Sequence, residues 1–251
     1  MNAQNARPTV TLTVENRVAT VTLARPARRN SFDLDMLACF EDVLHRLGRA
    51  DGVEVVLLTG EGPAFCAGTD LDELAKLDPA TTLRVQHRTA DLVERWHRLE
   101  QTTVTAFNGP AIGSGAVLGL ASDLRIAAAT TFFAFPEVSF GIPLTWSGMA
   151  ILADLAGADR AKRWVMLGDR LDREELLRHD LVMSVVPADG LAGAAARLVD
   201  RLLADPPLGR AMTKRAARLA GPRFEAVAAD PYLGALGVAL RPGGAYPKGG
   251  R

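Results

Sequence analysis

The chain has 251 residues, 48% of them hydrophobic, enough for one large domain or a domain with a small appendage. Lysine plus arginine and aspartate plus glutamate each number 29, so the formal charge is zero. That balance gives no sign of nucleic acid or an anionic membrane as partner, although one anionic ligand would need only a local basic patch.

The first residues, MNAQNARPTV, are polar and lack the apolar stretch of a signal peptide. Residues 9–14 and Val18–Leu23 then alternate apolar and polar on either side of Glu15, Asn16 and Arg17, the pattern of a β-hairpin. Ser31 is placed to cap a helix, with Asp33 and Asp35 in the first turn where the dipole favours anions. Phe32, Met36, Phe40, Val43, Leu44 and Leu47 give that helix one apolar stripe, and Gly48 is its stop. The nearly continuous apolar run 53–58 suits a strand buried on both faces. A helix over about 82–99, a strand at 104–107, a helix over 114–121 and a strand at Leu124–Ala128 follow. Such alternation implies βαβ units with right-handed crossovers, hence an α/β core.

Beyond Pro143 the pattern turns helical, over 147–155, 161–167, Arg173–Arg178, Leu191–Leu203 and 208–219, with one more strand near 182–186. From Gly221 onward Gly and Pro dominate and a loose tail is expected. Cys39 lies in an apolar helical pattern and Cys66 in a Gly-rich turn, which argues against a disulfide framework. His45, His87, His97 and His179 are scattered, without zinc-like spacing, and read as helix-surface residues. No run is apolar enough to span a membrane, so a cytoplasmic protein without a metal site is expected.

Three segments carry chemistry. In GEGPAFCAGTDL, residues 60–71, a buried strand ends in a tight turn whose small residues can leave backbone N–H groups aimed at a ligand. In residues 107–128 a second strand runs into a Gly-rich turn and a helix, so that the N–H groups of Gly113, Ser114 and Gly115 stand at a positive helix end. In FFAFPEVSFGIPL, residues 132–144, Glu137 is one carboxylate in an apolar stretch, where burial would raise its pKa towards neutrality. Either turn alone is an ordinary structural feature. Together, two N–H-donating turns and an acid form the layout of an oxyanion hole with a base.

In order and spacing these segments resemble the crotonase (enoyl-CoA hydratase/isomerase) superfamily from about residue 10 to 219. The resemblance rests on Arg25-Pro26 with Arg29-Asn30-Ser31, the turn 65–71, Asn108-Gly109 with the 113–115 turn, and 135–141. It implies a crotonase-like β-β-α spiral core over 1–143, a helical trimerisation region over 144–220, and an assembly that is a homotrimer or a dimer of trimers. The Gly/Pro-rich 221–251 departs from the family's acidic helical ending. The implied ligand is an acyl-CoA thioester, coenzyme A entering as part of the substrate and no separate cofactor being needed. Its carbonyl would meet the N–H groups of Thr69 and Ser114, framed by Ala67, Gly68, Asp70, Leu71, Gly113 and Gly115. Arg25, Arg28 and Arg29 match the part that meets CoA phosphates, against the plain alternative of a solvated loop. Asp72 stands where many members have lysine. Trp146 lines the acyl pocket or simply packs in the core.

Family hydratases use two glutamates. Glu137 matches one, and Val117 occupies the place of the other. Losing one of two acid/base groups costs on the order of 10²–10⁴ in rate. A lone glutamate suits double-bond isomerisation, with Glu137 as acid/base. The alternatives are a hydratase, slow or with a substituted second acid, and a non-catalytic acyl-CoA binding protein. A nicotinamide-dependent oxidoreductase is disfavoured because no full phosphate-binding glycine fingerprint follows a strand.

Overall fold

The alternation along Val18–Leu23 puts Ala19, Val21 and Leu23 on one fully buried face. In the computed structural model, which describes residues 8–220, this strand (β2) pairs antiparallel with β1 (Val10–Glu15) across a turn in which Asn16 and Arg17 both have positive φ. Then β3 (Val55–Gly60), β4 (Thr102–Phe107), β6 (Leu124–Ala128) and β9 (Val185–Val186) add in parallel, giving the order β1-β2-β3-β4-β6-β9. A small second sheet is built from β5 (Ala111–Ile112), β7 (Phe133–Ala134) and β8 (Arg170–Leu171). These two-residue strands carry no periodicity, and the sequence pattern did not reveal them.

Parallel strands need long crossovers, and helices supply them. Helix α1 (Leu34–Leu47) links β2 to β3, and the short α2 (Leu71–Leu74) with α3 (Pro79–His97) links β3 to β4. The apolar stripe of α1 is buried as its spacing predicts, and Gly48 is its C-cap. Its N-cap, however, is Asp33 rather than Ser31: the Asp33 carboxylate accepts from the Met36 N–H at 2.8 Å. Ser31 lies two residues too early, and its hydroxyl accepts from Arg25 instead. Helix α3 starts earlier than its apolar pattern, because Asp78 caps it and Pro79 begins it.

Helix α4 (Ser114–Leu120) follows β5. Helices α5 (Gly148–Ala156), α6 (Ala158–Leu167), α7 (Arg173–Arg178), α8 (Leu191–Leu203) and α9 (Pro207–Ala220) make the C-terminal part. The sheet is covered on both faces, as the apolar run of β3 requires. Val55, Val104, Ala106 and Ile126 pack under α8 through Leu191, Ala195 and Val199. Val56, Leu58 and Phe107 face the main core with α1 and α3. His45 and His87 are exposed, whereas His97 and His179 are half-buried; burial holds His97 below the usual imidazole range. Cys39 and Cys66 are both free. The expected tail, 221–251, lies outside the described residues.

Helix α4 lies unusually close to β4, because Gly119 has no side chain where the Phe107 ring sits. That ring is wedged between Phe65 and Phe133, each 4.7 Å away centroid to centroid, and has nowhere to retreat. Gly119→Ala should therefore cost about 2 kcal/mol by overpacking, seen as a lower urea midpoint with an unchanged slope.

Candidate active site

The neighbouring parallel strands β3 and β4 end on the same edge of the sheet, where α/β proteins place their ligand sites. The chain leaving β3 forms the turn that ends at Thr69, and the chain leaving β4 leads through β5 to Ser114. Two asparagines, Asn30 fully buried and Asn108 partly so, lock these loops together. Asn30 donates from Nδ2 to the carbonyls of Glu61, Ala64 and Phe65 at 2.9–3.1 Å, while its Oδ1 accepts from the Arg25 N–H at 2.8 Å. Asn108 accepts from the Gly60 N–H at 3.0 Å and donates to the carbonyls of Gly62 and Ala64. Neither role was visible beforehand, because each joins segments far apart in the chain.

The turns themselves aim the donors. The Phe32 N–H donates to the Gly68 carbonyl, and the Phe32 carbonyl accepts from the Asp70 N–H, both at 2.8 Å. This bridge points the N–H of Thr69, between them, to the opposite side. The Gly113 N–H is taken by the Ala134 carbonyl at 2.8 Å, and Ser114 is the first residue of α4, where an N–H has no partner within the helix. Among the described residues neither the Thr69 nor the Ser114 N–H has a protein acceptor. The two residues are neighbours: their hydroxyl oxygens lie 3.2 Å apart. Gly68 (φ +87°) and Gly115 allow this approach, since a side chain at Gly115 would strike the Cys66 carbonyl at 2.5 Å. Cys66 is no nucleophile: burial pushes its thiol up to about 12, and it donates to the Asn30 carbonyl.

Glu137 completes the group. Gly113 adopts φ +53°, and a β-carbon there would collide with the Glu137 carboxyl, so acid and donor turn are in direct contact. Glu137 is 9% exposed, and its Oε2 has no hydrogen-bond partner. Burial raises its pKa to about 7, opposed only weakly by its own backbone N–H. Val117, three residues into α4, is fully buried with its side chain against Gly148, so no second acid faces Glu137 from that position.

The arginine cluster differs from expectation. Arg25 is held inward by Asp70 (2.7 Å), Asp33 (2.8 Å) and the Ser31 carbonyl (3.0 Å), and so braces the donor turn from behind. Arg28 is half exposed and pairs with Asp70 and with Asp72, the residue standing in the common lysine position. Arg29 is exposed, and its carbonyl holds the Ala67 N–H at 2.9 Å. Burial pushes the Asp70 carboxyl up, but hydrogen bonds from Arg25 and Arg28 outweigh this and hold it below its usual value. Asp70 also caps α2, which starts at Leu71. Trp146 is buried beside Phe32, its ring edge-on at 5.0 Å.

The enoyl-CoA hydratase/isomerase family model matches residues 13–224. The chain belongs to that family. It is 34% identical over 208 residues to 1,2-epoxyphenylacetyl-CoA isomerase of Escherichia coli (strain K12), covering 81% of this chain and 79% of that protein. It is 29% identical over 208 residues to short-chain-enoyl-CoA hydratase of Clostridium acetobutylicum, covering 82% and 80%. A crystal structure of an enoyl-CoA hydratase from Mycobacterium avium subsp. paratuberculosis K-10 superposes with a TM-score of 0.85 at 25% identity, over 95% of this chain and 96% of that one. The fold is therefore the crotonase fold of the enoyl-CoA hydratase/isomerase family, with its parallel sheet and C-terminal helices. Relatives in this family bear both hydratase and isomerase names.

The raised pKa of Glu137 has a stability consequence. Below about 4.5 both folded and unfolded chains hold the proton and nothing is gained or lost. As the pH climbs to about 7 only the folded state keeps it, and stability falls until Glu137 ionises in place. Glu137→Gln removes this burden and should stabilise the protein by roughly 3 kcal/mol above pH 7, with little change near pH 4, as read by urea titrations at the two pH values.

Proposed function

We propose that the protein is an acyl-CoA enzyme that stabilises a thioester enolate and moves one proton along the acyl chain, converting a 3-enoyl-CoA to a 2-enoyl-CoA. The observation that carries this is a single buried glutamate of pKa about 7, among the described residues, in contact with the turn that carries the unpaired Ser114 N–H. The thioester oxygen would accept from the Thr69 and Ser114 N–H groups. The Glu137 carboxylate would take a proton from C2, leaving a dienolate whose negative charge rests on that oxygen. Each donor lowers the barrier by roughly 3–4 kcal/mol. Glu137, now neutral and still in its low-dielectric niche, would return the proton at C4, and the double bond would lie between C2 and C3. No water or second acid is needed, which fits the buried, apolar Val117 against Gly148.

The same reading places CoA phosphates near Arg28 and Arg29, because Arg25 is committed to Asp70 and Asp33. It also includes self-association, as a trimer or a pair of trimers. Exposed Met166 and Leu167 on α6 and Leu208 and Met212 on α9 offer apolar contact faces for it. No helix among the described residues is long and apolar enough to cross a membrane, in keeping with a cytoplasmic location.

Proton NMR in D₂O, with 3-enoyl-CoA and 2-enoyl-CoA substrates, tests the assignment. Isomerisation with exchange at C2 and C4 is expected. Glu137→Gln should lower it on the order of 10²–10⁴, and the rate should rise with pH through about 7 as the base form appears. Hydration as fast as isomerisation would replace the proposal with a hydratase. Tight binding of acyl-CoA without exchange would replace it with a binding protein.

A further inference from the structure

A narrow cleft of about 20 Å³ opens beside Thr69, walled by Phe32, Leu34, Leu37, Leu74, Leu77 and Trp146. It is lined largely by apolar side chains yet borders unpaired polar atoms. Trp146 is 1% exposed, and its indole Nε1–H has no acceptor. An indole N–H can only donate, and buried tryptophans ordinarily satisfy it. The same chain provides the comparison: Trp96, equally buried, donates to the Ser122 hydroxyl at 3.0 Å. Packing therefore accounts for the Trp146 ring, which meets Phe32 edge-on, but leaves its polar atom without a use.

The helical wall adds to this. Val85 and Thr89 of α3 line the cleft, and on the same buried face Thr82 Oγ1 and Gln86 Oε1 are also unpaired. A pocket for a plain hydrocarbon chain would give none of these atoms a partner. Charge narrows the choice of ligand. The charged side chains lining the cleft are Asp33, Asp70 and Glu73, all acidic, and Glu137 lies close by on the Ser114 side of Thr69. Arg25 answers Asp33 and Asp70 from behind, so no unpaired cation awaits a second carboxylate.

We infer that Trp146 Nε1–H binds a neutral oxygen on the acyl group, and that the preferred ligands are CoA thioesters whose acyl chain carries a ketone, hydroxyl or ether oxygen. Plain chains and carboxylated chains are the disfavoured classes. The inference rests on the acyl-CoA reading above, and it concerns specificity, with Glu137 and the two N–H donors keeping their roles.

Binding measured by calorimetry separates the two. The probes are free CoA, hexanoyl-CoA, isosteres with C=O or CHOH in place of one methylene beyond C3, and a carboxylated chain of equal length. None has a double bond to isomerise, so affinity is read without turnover. The wild type should bind one neutral oxygenated isostere about tenfold tighter than hexanoyl-CoA. Trp146→Phe keeps an aromatic ring against Phe32 and should bring that ratio to within about twofold of unity. An equal ratio in both proteins, or a wild-type preference for the plain or carboxylated chain, overturns the inference and leaves the acyl-CoA reading intact. Failure of every thioester to bind more tightly than free CoA overturns both. If the variant does not fold, the indole N–H resonance of Trp146 in the wild type decides. It should move downfield with the oxygenated isostere and not with hexanoyl-CoA, and an equal response to both counts against the inference.

Discussion

Everything in this site depends on the close approach of two loops that leave the adjacent strands β3 and β4. The loops meet where Gly115 faces Cys66 and where the hydroxyls of Thr69 and Ser114 come within 3.2 Å, and Gly113 on the second loop faces Glu137 from the segment after β7. Backbone this tightly packed has few places to put its polar groups. Asn30 and Asn108 satisfy most of the carbonyls, and the Phe32 bridge satisfies the groups on either side of Thr69. Among the described residues the N–H groups of Thr69 and Ser114 are left without a protein acceptor. The hydrogen bonds on either side hold these two N–H groups in place without a ligand present.

Glu137 is treated in the opposite way. A buried carboxyl with an unpaired oxygen is costly for the fold, and its own backbone N–H offsets that cost only in part. The cost is also what brings its pKa to about 7, where one group can both take and return a proton. Behind the donor turn the balance is reversed. Asp70, with Arg25 and Arg28 on it, is kept ionised and serves as a cap and an anchor. Two carboxylates in one region therefore shift in opposite directions because one is paired with arginines and the other is not.

The local pattern of the chain determined a good deal. The hairpin, the stripe of α1, the doubly buried β3 and the helices after Pro143 all follow from apolar spacing, since burial on one face or two leaves a period in the sequence. The turns 65–71 and 113–115 and the acid at Glu137 were legible as well, because small residues after strands and a lone acid among apolar neighbours are unusual in combination. Family membership followed from their order.

Tertiary structure alone decided the rest, wherever a residue's partner is distant in the chain. Arg25 looked like a ligand contact and is a brace, because Asp33 and Asp70 converge on it from another turn. Ser31 looked like a cap, yet the helix begins at Leu34, and the carboxylate of Asp33 has the reach to cap it. The roles of Asn30 and Asn108, the contact of Gly113 with Glu137 and the unsatisfied nitrogen of Trp146 leave no periodic trace. Periodicity records which way a side chain faces; what it meets there depends on the packing of segments that the sequence keeps far apart.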